Sequence, residues 1–372
     1  MNMMFVEDCC EILDSMRIPI TAADRKEGEY PYYGANGIQD YVAGYIFDDE
    51  LVLLAEDGGN FGSKEKPIAY RVSGKCWVNN HAHVLKPKAG LDVDYLCYSL
   101  MFYKVDGMVN GATRQKLTQS AMRKMQIPSR CMEEQKHIVD ELNRIIKIKE
   151  QRQQELQLLD ELIKARFVEM FGDPATNPMR WSETTIGDEC FYIKDGPHKS
   201  LPDIGKENDG HPFISVRNIV NGYIDFSTAR YISDEDYANA IKKCHPEKGD
   251  MLYSKGGTTG IAKLIDIDEE FANWVHVAVL KFDKFKLNGI FFENMLNGDY
   301  CFEQSQRLTK GIANRDLVLS AMAQIKMYRP PMELQEQFAD FVNQVDKSKV
   351  AIQAALDKSQ LLFDSLMQKY FG

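Results

Sequence analysis

Residues 132–172 read MEEQKHIVDELNRIIKIKEQRQQELQLLDELIKARFVEMFG, and this stretch decides how the rest of the chain is organised. It carries no proline, no glycine before its last residue, and few strand formers. Apolar residues recur at steps of three and four, at Ile138, Leu142 and Ile145, then at Leu156, Leu159 and Ile163. Such spacing is the ~3.5-residue period of a coiled-coil seam. Residues 332–372 repeat the pattern with Phe338, Phe341, Val345, Ile352, Leu356, Leu362 and Leu366. Pro128 and Pro330-Pro331 precede the two stretches, where a missing N–H is tolerated, and Phe171-Gly172 and Phe371-Gly372 close them with a residue suited to a left-handed cap. Each helix should run about 50–55 Å, longer than a head of ordinary size can cover. The two are therefore expected to pair antiparallel with each other. Lys147, Lys149, Arg152, Glu155, Asp346 and Lys349 read as solvated outer faces.

Working outward, residues 111–172 align with 311–372 without a gap: Gly111 with Gly311, Leu117 with Leu317, Ser120-Ala121-Met122 with Ser320-Ala321-Met322, and Gln135 with Gln335. Upstream, with gaps, His81-Ala82-His83-Val84-Leu85-Lys86 matches His276-Val277-Ala278-Val279-Leu280-Lys281, and Asp8 and Cys10 match Asp188 and Cys190. The chain is an internal repeat of two units. We expect a first head over 1–130, a central helix over 131–172, a second head over 173–331 and a distal helix over 332–372. The heads are rich in Gly, Tyr, Phe, Val and Asn, with short strand-like runs such as Gly44–Phe47, Leu51–Leu54 and Val277–Phe282 between turn signals. The expected fold class is α+β, with two globules separated by two long antiparallel helices that form a coiled-coil stalk with pseudo-twofold symmetry. The first copy is short at its start beside Trp181–Asp188 of the second.

Composition closes off other classes. With 44% hydrophobic and 27% charged residues, the chain is a folded protein rather than a disordered one. No apolar run approaches the ~18–20 residues that span a bilayer, and no secretory signal opens the chain. Eight cysteines without a Cys-x-x-Cys pair read as free thiols in the cytoplasm. Gly256-Gly257-Thr258-Thr259-Gly260 lacks the lysine of a phosphate loop, no nucleophile elbow or zinc-protease helix is present, and His81-x-His83 has no further ligand set in view. No catalytic residue, metal or cofactor is therefore expected in this chain. The net charge of −10 is spread along the chain and weighs against a broad basic footprint for nucleic acid.

The duplicated plan resembles the specificity subunit of type I restriction–modification systems. Tyr30-Pro31-Tyr32-Tyr33-Gly34-Ala35-Asn36-Gly37-Ile38 and His211-Pro212-Phe213-Ile214-Ser215-Val216-Arg217-Asn218-Ile219 look like the opening segments of two target recognition domains. Glu56–Gly62 and Tyr253–Gly260 resemble the family's glycine-rich loop, and Pro330-Pro331-Met332-Glu333-Leu334-Gln335-Glu336-Gln337 resembles the start of its distal helix. The resemblance implies that each domain reads one half of a split, asymmetric double-stranded DNA target and that the stalk is a ruler for the spacer. It also implies two methyltransferase subunits bringing S-adenosylmethionine, and restriction subunits bringing ATP and Mg2+ chemistry. Related type IIB or IIG specificity modules and a coiled-coil protein scaffold are the alternative readings.

Base edges are read by Arg, Lys, Asn and Gln, and glycines let backbone approach closely. Candidate DNA-contacting residues in the first unit are accordingly Gly58, Gly59, Asn60, Lys64, Lys66, Thr113, Arg114, Gln115 and Lys116. In the second they are Lys199, Ser200, Ser254, Lys255, Thr258, Thr259, Lys310, Asn314 and Arg315.

Overall fold

The structure, a computed structural model, describes residues 2–111, 114–312 and 314–372. Two compact units divide the chain, Met1–Gln153 with Gln353–Gly372, and Gln154–Ile352. The central helix, Met132–Phe171, and the distal helix, Met332–Phe371, are each unbroken over 40 residues. That corresponds to about 60 Å. Each gives one half to each unit.

The first unit is built on a six-stranded sheet in the order Cys10–Ile12, Ala82–Pro87, Phe47–Ala55, Ala69–Val78, Glu27–Gly34, Gly37–Val42. Its neighbours are antiparallel except where Tyr32 and Tyr33 run parallel to Trp77 and Val78. Strand Phe47–Ala55 is central and covered on both faces. Leu51 and Leu53 pack with Val72 and Val84, while Val52 and Leu54 face the cluster containing Tyr95 and Leu96 of helix Val93–Met101. That alternation follows from the period-2 geometry of a strand. The expected run at 44–47 is strand only from Phe47 onward.

The second unit repeats the antiparallel core as Cys190–Asp195, Val277–Phe282, Met251–Ser254, Ala262–Leu264. It adds a separate sheet of Arg230–Ile232, His211–Ile214 and Ala272–Asn273, whose last pair is parallel. In both units a short antiparallel pair ties the entry of the head to its exit: Met3–Phe5 with Gln126–Pro128, and Ser182–Thr185 with Lys326–Arg329.

The helices pair antiparallel inside each unit. In the first, Tyr370 donates to Glu141, Lys149 to Gln360, and Arg152 to the carbonyl of Ala355 and the hydroxyl of Ser359. In the second, Lys349 Nζ lies 2.6 Å from Asp160 Oδ1, and Phe338 sits edge-on against Phe167 and Phe171 at 5.4 and 5.5 Å. Ile138, Leu142, Ile145, Ile163 and Val345 are buried seam residues; Leu156, Leu159, Phe341, Ile352 and Leu356 are half-buried.

Two expectations fail in the same way. Leu362 is 52% exposed, and its buried neighbour Phe363 occupies the seam, because the stripe passes from Leu356 through buried Ser359 to Phe363. Lys149, Arg152 and Lys349, expected on solvated faces, are half-buried and donate across to the facing helix. Their aliphatic stems cover apolar surface while the charged ends find partners. A polar layer of this kind specifies register at some cost in stability.

A buried glutamine joins each head to its helix. Gln135 donates to the carbonyls of Gly90 and Arg130 and accepts from Asp92 N–H; Gln335 donates to Lys286 and Pro330 and accepts from Asn288 N–H. Asp92 and Asn288 are themselves the N-caps of helices Val93–Met101 and Gly289–Asn297. The helix start is thereby fixed to the same head helix in both copies.

Candidate nucleic-acid interface

In both units a glycine-rich loop and a second loop ending in leucine are stitched together by the same backbone bonds. Leu117 N–H donates to Glu56 O, and Leu317 N–H to Lys255 O, both at 2.7 Å. Gly58 N–H donates to Gln115 O at 3.0 Å, and Gly257 N–H to Arg315 O at 3.1 Å. Gly111 and Gly311 start the second loop with φ of 103° and 84°. A Cβ there would lie 2.3 Å from Arg114 O and 2.2 Å from Asn314 O, so both turns require glycine.

Across this stitch each unit carries an ion pair of opposite polarity. Glu56 pairs with Lys116 at 3.0 Å in the first, and Lys255 pairs with Asp316 at 2.9 Å in the second. The backbone equivalence makes these the same two positions with the charges exchanged.

The ion pairs sort the candidate residues. Lys116 is half-exposed but engaged by Glu56, and Lys255, only 5% exposed, is held by Asp316. Ser254 and Thr259 are also buried. Ser254 Oγ accepts from Ile261 N–H, and Thr259 Oγ1 lies 3.0 Å from Thr309 Oγ1. Ser254, Lys255 and Thr259 thus hold the loop and lie beneath its surface, contrary to the sequence reading. A strand end leading into the loop buries what its polar composition made look exposed. Lys64, Lys66, Arg114, Gln115, Lys199, Ser200, Thr258, Lys310, Asn314 and Arg315 are exposed, as is Gly58, while Gly59 and Asn60 are half-buried. Thr113 lies outside the described residues.

Sequence reasoning passed over the partners of these loops. In the first unit Asn36 donates to Gly58 O at 3.0 Å, and Asp57 pairs with Arg114 at 2.6 Å and His81 at 3.4 Å. In the second, Arg217, Trp274 and His276 border the corresponding loops. The available signal was the matched histidine, which the repeat aligned but whose ring was given no role.

Beneath the first loop pair, Asp14, Glu56 and His83 bring their ligand-type atoms within 4.8 Å of one another. Each is already engaged. His83 Nδ1 is 2.7 Å from Asp14, Arg17 pairs with Glu56 at 2.6 Å, and Gln119 and Val84 N–H both donate to Asp14. The cluster reads as a buried ion network rather than a metal cradle. Burial would raise both carboxyl groups, but a hydrogen bond and charge from His83, with further hydrogen bonds from Gln119 and the Val84 N–H, hold Asp14 below its ordinary value of 3.8, and Arg17 and Lys116 hold Glu56 below 4.5. A depressed folded-state value means stability is present above the unfolded value and is lost as pH falls through the folded one. The first unit is expected to lose stability as pH drops below about 4. Asp14→Asn should cost about 1–3 kcal/mol at neutral pH and flatten that acid slope, as thermal melts recorded between neutral and acid pH would show. An unchanged slope would remove Asp14 from the account.

Comparison with known proteins agrees with this arrangement. The Haemophilus influenzae protein named "Putative type I restriction enzyme specificity subunit S.HindORF215P" is 29% identical over 289 residues, covering 72% of this chain and 68% of that one. The MjaIX specificity subunit of Methanocaldococcus jannaschii, a type I restriction enzyme, is 21% identical over 345 residues, covering 87% and 77%. The crystal structure of a type I restriction–modification S subunit from M. genitalium superposes with a TM-score of 0.59 at 15% identity, over 100% of this chain and 96% of that one, a likeness of fold. The family described as "Type I restriction modification DNA specificity domain" matches residues 1–158 and again 178–360. With each of the two matched segments covering one head and the greater part of its long helix, the chain belongs to the type I restriction modification DNA specificity domain family.

Proposed function

We propose that this chain is the non-catalytic recognition subunit of a type I restriction–modification complex, in which each unit reads one half of a bipartite, asymmetric double-stranded DNA target. The paired helices set the spacer between the halves and offer docking surface to two methyltransferase subunits and to restriction subunits. S-adenosylmethionine, ATP and Mg2+ belong to those partners in this reading, and the cytoplasm is where they would meet.

The observation that carries the reading is the duplication of the stitched loop pair. Both copies keep the same backbone bonds and glycine turn while the exposed residues at the tips differ: Arg114 and Gln115 in one, Asn314 and Arg315 in the other. A constant frame with divergent polar tips suits two readers of different sequences, since base edges are distinguished by donor and acceptor pattern. The acidic net charge is compatible with this if partner subunits supply much of the phosphate attraction, leaving local loops to read bases.

The test is selection from randomised duplexes by the purified chain together with its methyltransferase subunits. Enrichment of one bipartite sequence, with binding that falls steeply as salt rises, is expected. Recovery of no preferred sequence would dismiss the proposal. Lys64 and Lys66, exposed beside the first glycine-rich loop, serve as phosphate contacts in this reading. Lys64→Ala with Lys66→Ala should weaken binding about equally on all sequences and lower the slope of log affinity against log salt by about 1 per residue. A change of selected sequence instead would make them base readers.

A further inference from the structure

The loops of the second unit border a cleft of about 540 Å³ whose walls include Arg217, Gly256, Trp274, His276, Asn314 and Arg315. This lies within the ~300–1,000 Å³ of small-molecule sites. In a chain of net charge −10, no carboxylate appears among the described lining residues. The Trp274 and His276 rings meet edge-on, with centroids 4.9 Å apart and planes at 74°. Both Arg217 and Arg315 are exposed at the surface of the unit. Among the described residues, Trp274 Nε1 and His276 Nδ1 are buried without a hydrogen-bond partner. Orphaned buried polar atoms are uncommon and call for an explanation, such as an absent ligand.

The first unit shows what the same place looks like when filled. His81 O accepts from the N–H groups of Glu56 and Asp57, as His276 O does from Lys255 and Gly256. Asp57 therefore corresponds to Gly256. In the first unit the Asp57 carboxylate occupies His81 Nδ1 at 3.4 Å and Arg114 Nε at 2.6 Å. In the second, glycine removes that carboxylate, and a Cβ at Gly256 would fall 2.0 Å from His276 Nδ1. One substitution thus frees an imidazole nitrogen and leaves the cleft to its cations.

We infer that this cleft accepts a single unstacked nucleotide of a DNA strand, with its base against the Trp274 and His276 rings and its phosphate at Arg217 and Arg315. Aromatic rings stack with any base, and guanidinium groups match phosphate in planar, bidentate fashion. A base stacked on the Trp274 ring would turn its edge toward His276, whose plane lies at 74° to it, so that edge can pair with His276 Nδ1 but not with the nitrogen of the ring it stacks on. The inference rests on the DNA-reading role proposed above and makes the two units unequal, since only the second holds a base out of its stack.

The test uses the full chain labelled with 15N at tryptophan. Its three tryptophans give three indole resonances, and Trp274→Phe assigns the relevant one. The probes are a short single-stranded oligodeoxynucleotide of mixed sequence, the four deoxynucleoside monophosphates, and inorganic phosphate. The Trp274 resonance should move with the oligonucleotide while those of Trp77 and Trp181 stay. Arg217→Ala and Arg315→Ala, both at exposed positions that leave the core intact, should each weaken that response about tenfold or more. A silent Trp274 resonance overturns the inference. So does an equal response to phosphate alone, which would make the cleft an anion site, or equal affinity for the monophosphates, which would make it a free-nucleotide site. Selection on duplexes with the methyltransferase subunits runs alongside. Selective duplex binding with a silent indole removes the cleft proposal only, whereas loss of selectivity removes the reading beneath it.

Discussion

Phe338→Ala is expected to cost about 3–5 kcal/mol and to melt the second unit ahead of the first. Phe338 is fully buried where the distal helix enters, in a cluster with Phe167, Phe171 and Phe291. Its ring contacts the central helix edge-on at both Phe167 and Phe171, and Phe171 in turn meets Phe291 of the head at 4.9 Å. Truncation removes the buried ring and leaves a cavity bounded by three other rings that cannot collapse without losing their own contacts. Calorimetry of wild type and variant would show one transition moved and the other nearly fixed. A shift of less than about 0.5 kcal/mol, the range of ordinary surface changes, would mean that the aromatic cluster is not what seats the helices in this unit.

The second large effect concerns the proposed ruler. Seven residues inserted in each helix, near Gln153 and near Gln353, preserve the seven-residue apolar repeat in both partners and add about 10.5 Å, or about three base pairs. Both half-sites should persist, the spacer should lengthen accordingly, and methylation of the original target should disappear. Sequencing of methylated positions in host DNA reads all three outcomes. Insertion of about four residues in the central helix alone would move its stripe out of phase with the distal helix and leave the added turn unmatched. It is therefore the weaker design. An altered half-site or an unchanged spacer would sink the ruler.

Much of this architecture was legible because its strongest signal is periodic. Ile138, Leu142, Ile145 and Val345 follow the coiled-coil repeat and are buried. The repeat misled where polar residues occupy the seam. Nothing local distinguishes Ser359, Lys149 or Arg152 from solvated residues, and their burial depends on what the facing helix offers. The paired loops were legible as polar, glycine-rich segments, and which of their residues are buried was not. Glu56 and Lys255 occupy equivalent positions with opposite charge, so the pairing that buries Lys255 is invisible until Lys116 and Asp316 are seen opposite them. The second unit's cleft escaped notice for a related reason: its character comes from an aspartate that is missing, with Gly256 standing where the first unit has Asp57.

The division of the chain between units has a consequence for biosynthesis. Gln154–Ile352 is one uninterrupted segment, whereas the other unit combines Met1–Gln153 with Gln353–Gly372. A ribosome working from the amino terminus therefore releases everything the later-encoded head needs before the earlier one receives the helical segment that covers Ile138, Leu142 and Ile145. During that interval the nascent chain carries an uncovered apolar stripe, and a message cut short after codon 352 would leave it so permanently. Order of emergence and order of completion are reversed, which makes the codons for Gln353–Gly372 the ones on which the first-made half depends.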